Sequence, residues 1–320
     1  MRTKEQFLML FVLGGMMLAG LTACSGDDDT ATNDSAPQTA DDGVKVRRLT
    51  ITEADDGAAE ARQALTRASL TEDDGLTAKW TAGDALTYCN LSRMQYNGEE
   101  DVPVSGNLTA TTTAATSQFT GDVTCSAGDY LAVVYPATTF TTNSQYTIAL
   151  SGQDGTLAGL ATRFHYVYGK ALVNSVTDAT ADATMPKMKS LLTVCKFSFV
   201  NKDGGAVIPI RSLSISYGGI GGDAGTYPQT ATVRLKDADG VILDQAAVHA
   251  TGTTGTGALT ITCPTAQAAV YVALLPTDAE RTFRFTVSDG SGNTYTGTAK
   301  ATLTEGEYVV ATGLKLTQNE

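Results

Sequence analysis

Histidine is nearly missing from this chain, which holds His165 and His249 and no others in 320 residues. The two stand far apart in sequence and in different predicted domains. Neither a histidine-based nucleophilic triad nor a multi-histidine zinc site can be built from them, and each reads as a surface or loop residue. Basic residues are also few: 22 Lys and Arg face 34 Asp and Glu, a formal net charge of -12. An acidic surface with no basic stripe repels phosphate, which excludes nucleic acid as a partner. None of the five cysteines forms a close pair, so no zinc site is expected from them. Gly218-Gly219-Ile220-Gly221-Gly222 lacks the Lys-Ser or Lys-Thr of a phosphate loop and reads as a flexible turn. Asp237-x-Asp239-Gly240 lacks the distal Glu of a calcium loop and reads as a hairpin turn. The expectation is a non-enzyme with no catalytic residue, no metal and no cofactor.

Charged residues make up only 18% of the chain, and apolar residues seldom recur at helical spacing. They recur instead in short alternating runs. Ala85 to Tyr88, Tyr130 to Tyr135, Cys195 to Phe199, Ser212 to Ser216, Thr230 to Leu235, Ala269 to Leu274 and Thr282 to Val287 each suit a strand with one buried face. Asp237 to Gly240 and Ser288 to Asn293 are the turns between such runs, with Gly and Asn free to take positive φ. Many short strands at regular spacing predict an all-β protein of sandwich type. Little helix is expected: a turn or two over Ala58 to Leu65, and irregular chain over Gln153 to Arg163.

The first residues carry a different signal. Arg2 and Lys4 precede an apolar run, Phe7 to Leu18, that is too short to span a bilayer comfortably. Leu21-Thr22-Ala23-Cys24 follows, and the whole resembles a bacterial lipoprotein signal in which residues 1–23 are removed and Cys24 becomes the acylated first residue. Lipid on Cys24 would tether the protein to a membrane, outside the cytoplasm. Ser25-Gly26-Asp27-Asp28-Asp29 resembles the acidic export signal that sends some Gram-negative lipoproteins to the cell surface. Residues 24–43 offer no apolar side chain larger than Ala or Pro and read as a disordered acidic linker. Beyond the linker two domains are expected, 44–185 and 186–320. Ser175 to Thr184 reads as a small, polar loop before Met185-Pro186, and Leu191 to Val200 opens a fresh set of strands.

Four elements in order then resemble the fimbrillin family, the subunits and accessory proteins of type V pili. Lys79-Trp80-Thr81-Ala82-Gly83-Asp84 is similar to its Trp-x-x-Gly-Asp element, and Tyr130 to Pro136 to its strand ending in Tyr-Pro. Leu191 to Phe199 resembles the opening of its second domain, and Glu305 to Val310 its closing strand. The resemblance spans roughly residues 65 to 316. It implies two tandem β-sandwich domains of transthyretin-like type and a structural or adhesive pilus subunit. The subunit would reach the outer membrane and cell surface as a lipoprotein, then pass into the pilus once processed. It also implies that an arginine-specific protease removes a first strand and that a strand from another subunit fills the groove. Val44 to Val46 with Leu49 to Ile51 is the plausible first strand. Arg47, Arg48, Arg62 and Arg67 are candidate trimming sites; Arg67 is preferred narrowly over Arg62, and each has the bland alternative of an exposed arginine. Only four residues follow the closing strand, Tyr308 to Leu316, so that strand is itself a candidate donor, or the subunit sits at a tip or outside pili.

The partners implied are other pilus subunits, the outer membrane through Cys24, and a host or bacterial surface ligand. The alternative function is a surface lipoprotein that binds glycans, with tyrosines and Trp80 as a sugar platform; at strand spacing such aromatics are more often core. Cys89, Cys125, Cys195 and Cys263 allow three disulfide connectivities. Cys195 and Cys263 alternate with apolar neighbours, which also suits free buried thiols.

Overall fold

A computed structural model describes residues 45–54, 69–72, 76–96, 101–218, 224–250 and 257–319. The signal, Cys24, the linker, Ala58 to Leu65 and most of the Gly218 to Gly222 run lie outside the described residues. Along the chain run β1 (Lys45–Glu53), β2 (Ser69–Glu72), β3 (Leu76–Lys79), β4 (Ala85–Tyr96), β5 (Asp101–Ala110), β6 (Gln118–Cys125), β7 (Tyr130–Tyr135) and β8 (Gln145–Ala149). The helix α1 (Leu157–Arg163) is followed by β9 (Val167–Val176), β10 (Thr180–Met185), β11 (Lys189–Ser190), β12 (Thr193–Asn201), β13 (Ile210–Tyr217) and β14 (Thr230–Lys236). Last come β15 (Ile242–Ala250), β16 (Leu259–Gln267), β17 (Val270–Leu274), β18 (Arg281–Ser288), β19 (Thr294–Ala301) and β20 (Tyr308–Gln318). The protein is all-β, and the alternating runs singled out in the sequence fall in strands, save that Ala269 stands just before β17.

Two large sheets organise these strands. The first has the order β10-β1-β6-β5-β4-β7-β9-β11, and a further pairing of β10 with β9 closes it into a barrel. The second has the order β16-β13-β18-β19-β20-β12-β17. In β18 the alternation works as the sequence implies: Phe283, Phe285 and Val287 point inward while Arg284 points out. Each such buried side chain contributes about 1.5–3 kcal/mol. The turn between β18 and β19 is held by Asp289, whose carboxylate accepts from the N–H groups of Ser291 (2.7 Å) and Asn293 (3.2 Å). Gly292 takes φ +101° there, a conformation that a Cβ would strain.

The first sheet serves two cores. Leu131, Val133 and Tyr135 of β7 face inward with Trp80 and Phe119, whereas Ala132 and Val134 join the second core with β12, β13 and β18. That explains why Tyr130 to Tyr135 is nearly continuously apolar where a one-faced strand would alternate. β8 pairs with β14, whose other neighbour is β15, so a strand from the first half of the chain completes a sheet of the second.

Three sequence expectations need correction. Gln153 to Arg163, expected to be irregular, contains α1, the one helix among the described residues. Its start is fixed locally: Thr156 Oγ1 accepts from Gly159 N (3.0 Å), and Asp154 Oδ1 accepts from the Thr156 N–H (2.8 Å). Seven residues are too few to display helical periodicity, so the cap and the burial of Leu160 and Ala161 define it. Ser175 to Thr184, expected to be a loop, ends β9 and begins β10, where small Ala181 and Ala183 are buried in place of larger apolar residues. His165, expected at the surface or in a loop, lies in the loop between α1 and β9 but is buried, at 1% exposure; His249 is exposed on β15.

Candidate functional site

The first described strand is an internal stave of the barrel. β1 pairs antiparallel with β6 from Lys45 to Thr52 and parallel with β10 from Arg48 to Glu53, so both of its edges are laddered. Arg47, Leu49, Ile51 and Glu53 point into the barrel, and Val46, Arg48 and Thr52 point out. Leu49 and Ile51 enter the core built around Trp80, Phe119 and Tyr135. The sequence reading of a first strand from Val44 to Ile51 matches the structure from Lys45 onward, Val44 lying outside the described residues, although it stopped short of Glu53.

Near the two ends of β1 stand polar residues that are nonetheless buried, Arg47 at 1% and Glu53 at 4% exposure. The Arg47 guanidinium donates from Nε to the Thr177 carbonyl (2.6 Å) and from a terminal nitrogen to the Cys125 carbonyl (2.5 Å). Glu53 is held from the opposite side. Its Oε2 accepts from the Trp80 indole N–H (2.9 Å) and the Ser117 backbone N–H (3.3 Å), and its Oε1 accepts from the Met188 N–H (3.1 Å). Charge-assisted bonds of this kind offset the cost of taking a charged group out of water. Sequence reasoning missed Glu53 because its partners lie 27, 64 and 135 residues away. The alternation Arg-x-Leu-x-Ile-x-Glu was the signal available.

Trp80 reaches Glu53 because the turn after β3 is tight. Asp84 accepts from Thr81 N (2.7 Å), Gly83 takes φ +96°, and burial pushes the Asp84 carboxyl above the usual carboxylate range. The indole packs edge-on against Phe119 (4.9 Å between centroids) and Tyr135 (5.6 Å). Trp80 is thus a core residue and lines no sugar platform.

The candidate trimming sites are placed as follows. Arg47 is occupied inside the barrel. Arg48 sits on the outer face of β1, near Asp122 (3.5 Å) and Thr120 Oγ1 (3.2 Å), with its backbone paired on both sides. Arg62 and Arg67 lie outside the described residues, between β1 and β2, as does Cys24 in the leading segment. Just past Arg67, Glu72 on β2 ties that strand to the second sheet. Its carboxylate accepts from Lys196 Nζ of β12 (2.7 and 2.8 Å), from the Tyr271 hydroxyl of β17 and from the Tyr308 hydroxyl of β20 (2.6 Å). These donors, Lys196 foremost, pull the Glu72 carboxyl down to about 2.

The last strand is set differently. β20 pairs parallel with β12 from Val194 to Asn201, but with β19 only at Tyr295–Gln318 and Thr296–Thr317. Leu316 alone among its residues is fully buried, and Val310 is 54% exposed.

Cys89, Cys125, Cys195 and Cys263 are all buried free thiols, as the alternation around Cys195 and Cys263 allowed. Burial pushes the Cys89 thiol up to about 11, so it stays protonated and inert at neutral pH.

No protein-family model matches the chain, and no curated protein does. Among solved structures, the chain is similar to a candidate cell adhesion protein of Bacteroides uniformis, 15% identical with a TM-score of 0.46, over 86% of this chain and 96% of that one. It is also similar to a candidate cell adhesion protein of Bacteroides eggerthii, 11% identical with a TM-score of 0.34, over 85% and 88%. The shaft pilin SpaA of Lactobacillus rhamnosus GG is 9% identical with a TM-score of 0.32, over 86% and 99%. Similarity this distant says nothing of function on its own.

Proposed function

We propose that this protein is a structural or adhesive subunit of a cell-surface pilus, carried to the outer membrane by lipid on Cys24. Assembly proceeds by proteolytic removal of β1 and donation of a strand from another subunit. Residues 44–185 and 186–320 act as its two domains, with β8 of the first packed into the second.

The observation that carries this reading is the position of β1. It is the first described strand, paired on both edges, and it precedes a segment that contains Arg62 and Arg67. Removing it would leave the N–H and C=O groups of β6 and β10 unpaired along a line and the places of Leu49 and Ile51 open to water. Unpaired strand edges and wet apolar pockets are what an incoming strand fills, gaining a ladder and alternating side-chain burial. A cut after Arg67, or after Arg62, frees the whole of β1. A cut after Arg48 would leave the half that carries Leu49, Ile51 and Glu53 in place. The Glu72 clamp keeps the newly made chain start bound to the second sheet.

The N-terminal sequence of the protein taken from the surface of its native cells tests this. A start just after Arg62 or Arg67 is the expected result for a polymerised subunit. Lipidated Cys24 on every molecule would exclude strand removal and leave an anchor or a glycan-binding surface lipoprotein. Replacing Cys24 with Ala is expected to abolish outer-membrane tethering, checked by fractionation.

A further inference from the structure

We infer that the groove left by β1 selects its occupant by charge as well as by shape, taking a strand that reads basic, apolar, apolar, acidic at alternate positions. The inference rests on the strand-removal reading and names the partner's chemistry: a strand of a different subunit, parallel to β10, rather than a second copy of this chain.

The acidic end follows from the donors that surround Glu53. The Trp80 indole, Ser117 and Met188 each present an N–H, and each is directed at one of the two carboxylate oxygens. With β1 gone, these three donors lose the carboxylate that accepts from them. A carboxylate satisfies all three because it is acceptor-only. A glutamine satisfies the pair at Oε2 with its carbonyl but turns its NH2 toward the Met188 N–H, donor against donor. An apolar residue leaves all three unpaired, and each buried orphan is costly.

The basic end follows from the opposite chemistry. At the position of Arg47 the barrel offers the carbonyls of Thr177 and Cys125, acceptors that only a long donor can reach. Between the two ends the barrel takes apolar side chains, as it takes Leu49 and Ile51 at 0% exposure.

The rest of this chain does not supply that sequence. No other segment places Lys or Arg, two apolar residues and Asp or Glu at successive alternate positions. With Leu314 and Leu316 of β20 laid in the apolar places, Thr312 and Gln318 fall where Arg47 and Glu53 stood. Thr312 is too short to reach the two carbonyls, and Gln318 brings the donor clash described above. The last strand of a second copy therefore fits the apolar middle of the groove and neither end.

The test uses the full chain, with a specific protease site placed between residues 55 and 68 and then nicked, so that every residue is still present. Fluorescent peptides compete for the groove: the native β1 sequence Lys45–Glu53, its Glu53→Gln, Glu53→Ala and Arg47→Met forms, and the β20 sequence Tyr308–Gln318. Exchange is followed by anisotropy. The native peptide is expected to enter, Glu53→Gln to bind about tenfold more weakly, and Glu53→Ala and Arg47→Met more weakly still, as the loss of charge-assisted bonds requires. The β20 peptide is expected to compete worse than the native one. Equal binding of the native, Glu53→Gln and Glu53→Ala peptides overturns the charge selection while strand exchange stands. If the native peptide itself never enters, strand removal is wrong, and the selection falls with it.

Discussion

The two terminal strands of the described fold are opposites in construction. β1 is laddered on both edges, buries Leu49 and Ile51 completely, and is pinned at each end by a buried charged residue. β20 is laddered along one edge, barely touches β19, and leaves most of its side chains half-exposed or exposed. A strand that fills a deep, chemically marked slot leaves behind a site when it is removed. The difference is one of burial and pairing: β1 is held along both edges and at a deep core, β20 mainly along its edge with β12.

Single-residue truncations are the most forceful way to break this contrast. Ile51→Ala is expected to cost about 2–5 kcal/mol, because the barrel core cannot collapse onto the cavity. Val310→Ala on β20 is expected to stay within about 0.5 kcal/mol. Urea unfolding of the full chain reads both, and similar losses at the two sites would erase the distinction.

Adjacent arginines sharpen it within β1 itself. Arg47→Ala removes the buried guanidinium's hydrogen bonds to the Thr177 and Cys125 carbonyls and is expected to cost about 3 kcal/mol. Arg48→Ala removes an exposed ion pair with Asp122 and an exposed hydrogen bond to Thr120 Oγ1, and is expected to change stability by no more than about 0.5 kcal/mol. Thermal unfolding of the two variants side by side measures the gap.

The smallest of the three destabilising substitutions is at the clamp that joins β2 to β20. The Glu72 carboxyl is held near 2 in the folded protein against an ordinary 4.5. Its contribution is therefore complete above pH 4.5 and is lost as the pH falls from there toward 2. Glu72→Gln is expected to lower stability by about 1 kcal/mol at pH 7, since the site is part-exposed. The difference from the unaltered protein should shrink between pH 4.5 and 2. A constant difference across that range would mean that charge on Glu72 has no part in holding β20.

Much of the fold was legible because strand formation is local. Alternation in Phe283-Arg284-Phe285-Thr286-Val287 has one reading, and the Asp-Gly turns close hairpins with side chains only two to four residues away. β10 was hidden because Ala181 and Ala183, buried in its first half, are small enough to pass for a loop; only the closed sheet reveals it. The helix α1 was hidden by its brevity. β8 was legible neither as a strand nor as a partner of β14, since nothing near it in sequence records a pairing formed more than 80 residues away.

The candidate site divides along the same line. From the sequence come the lipoprotein-like start, the arginines Arg48, Arg62 and Arg67, a first strand near residues 44 to 51 and the apolar places Leu49 and Ile51. Each of these depends on residue type and near neighbours alone. Only the tertiary structure decided that β1 lies between β6 and β10, that Arg47 is a buried donor, and that Glu53 meets Trp80, Ser117 and Met188. A charged residue at a strand end reads as solvated from sequence. Burial reverses that reading only when distant parts of the chain converge to supply the hydrogen bonds that water would otherwise have made.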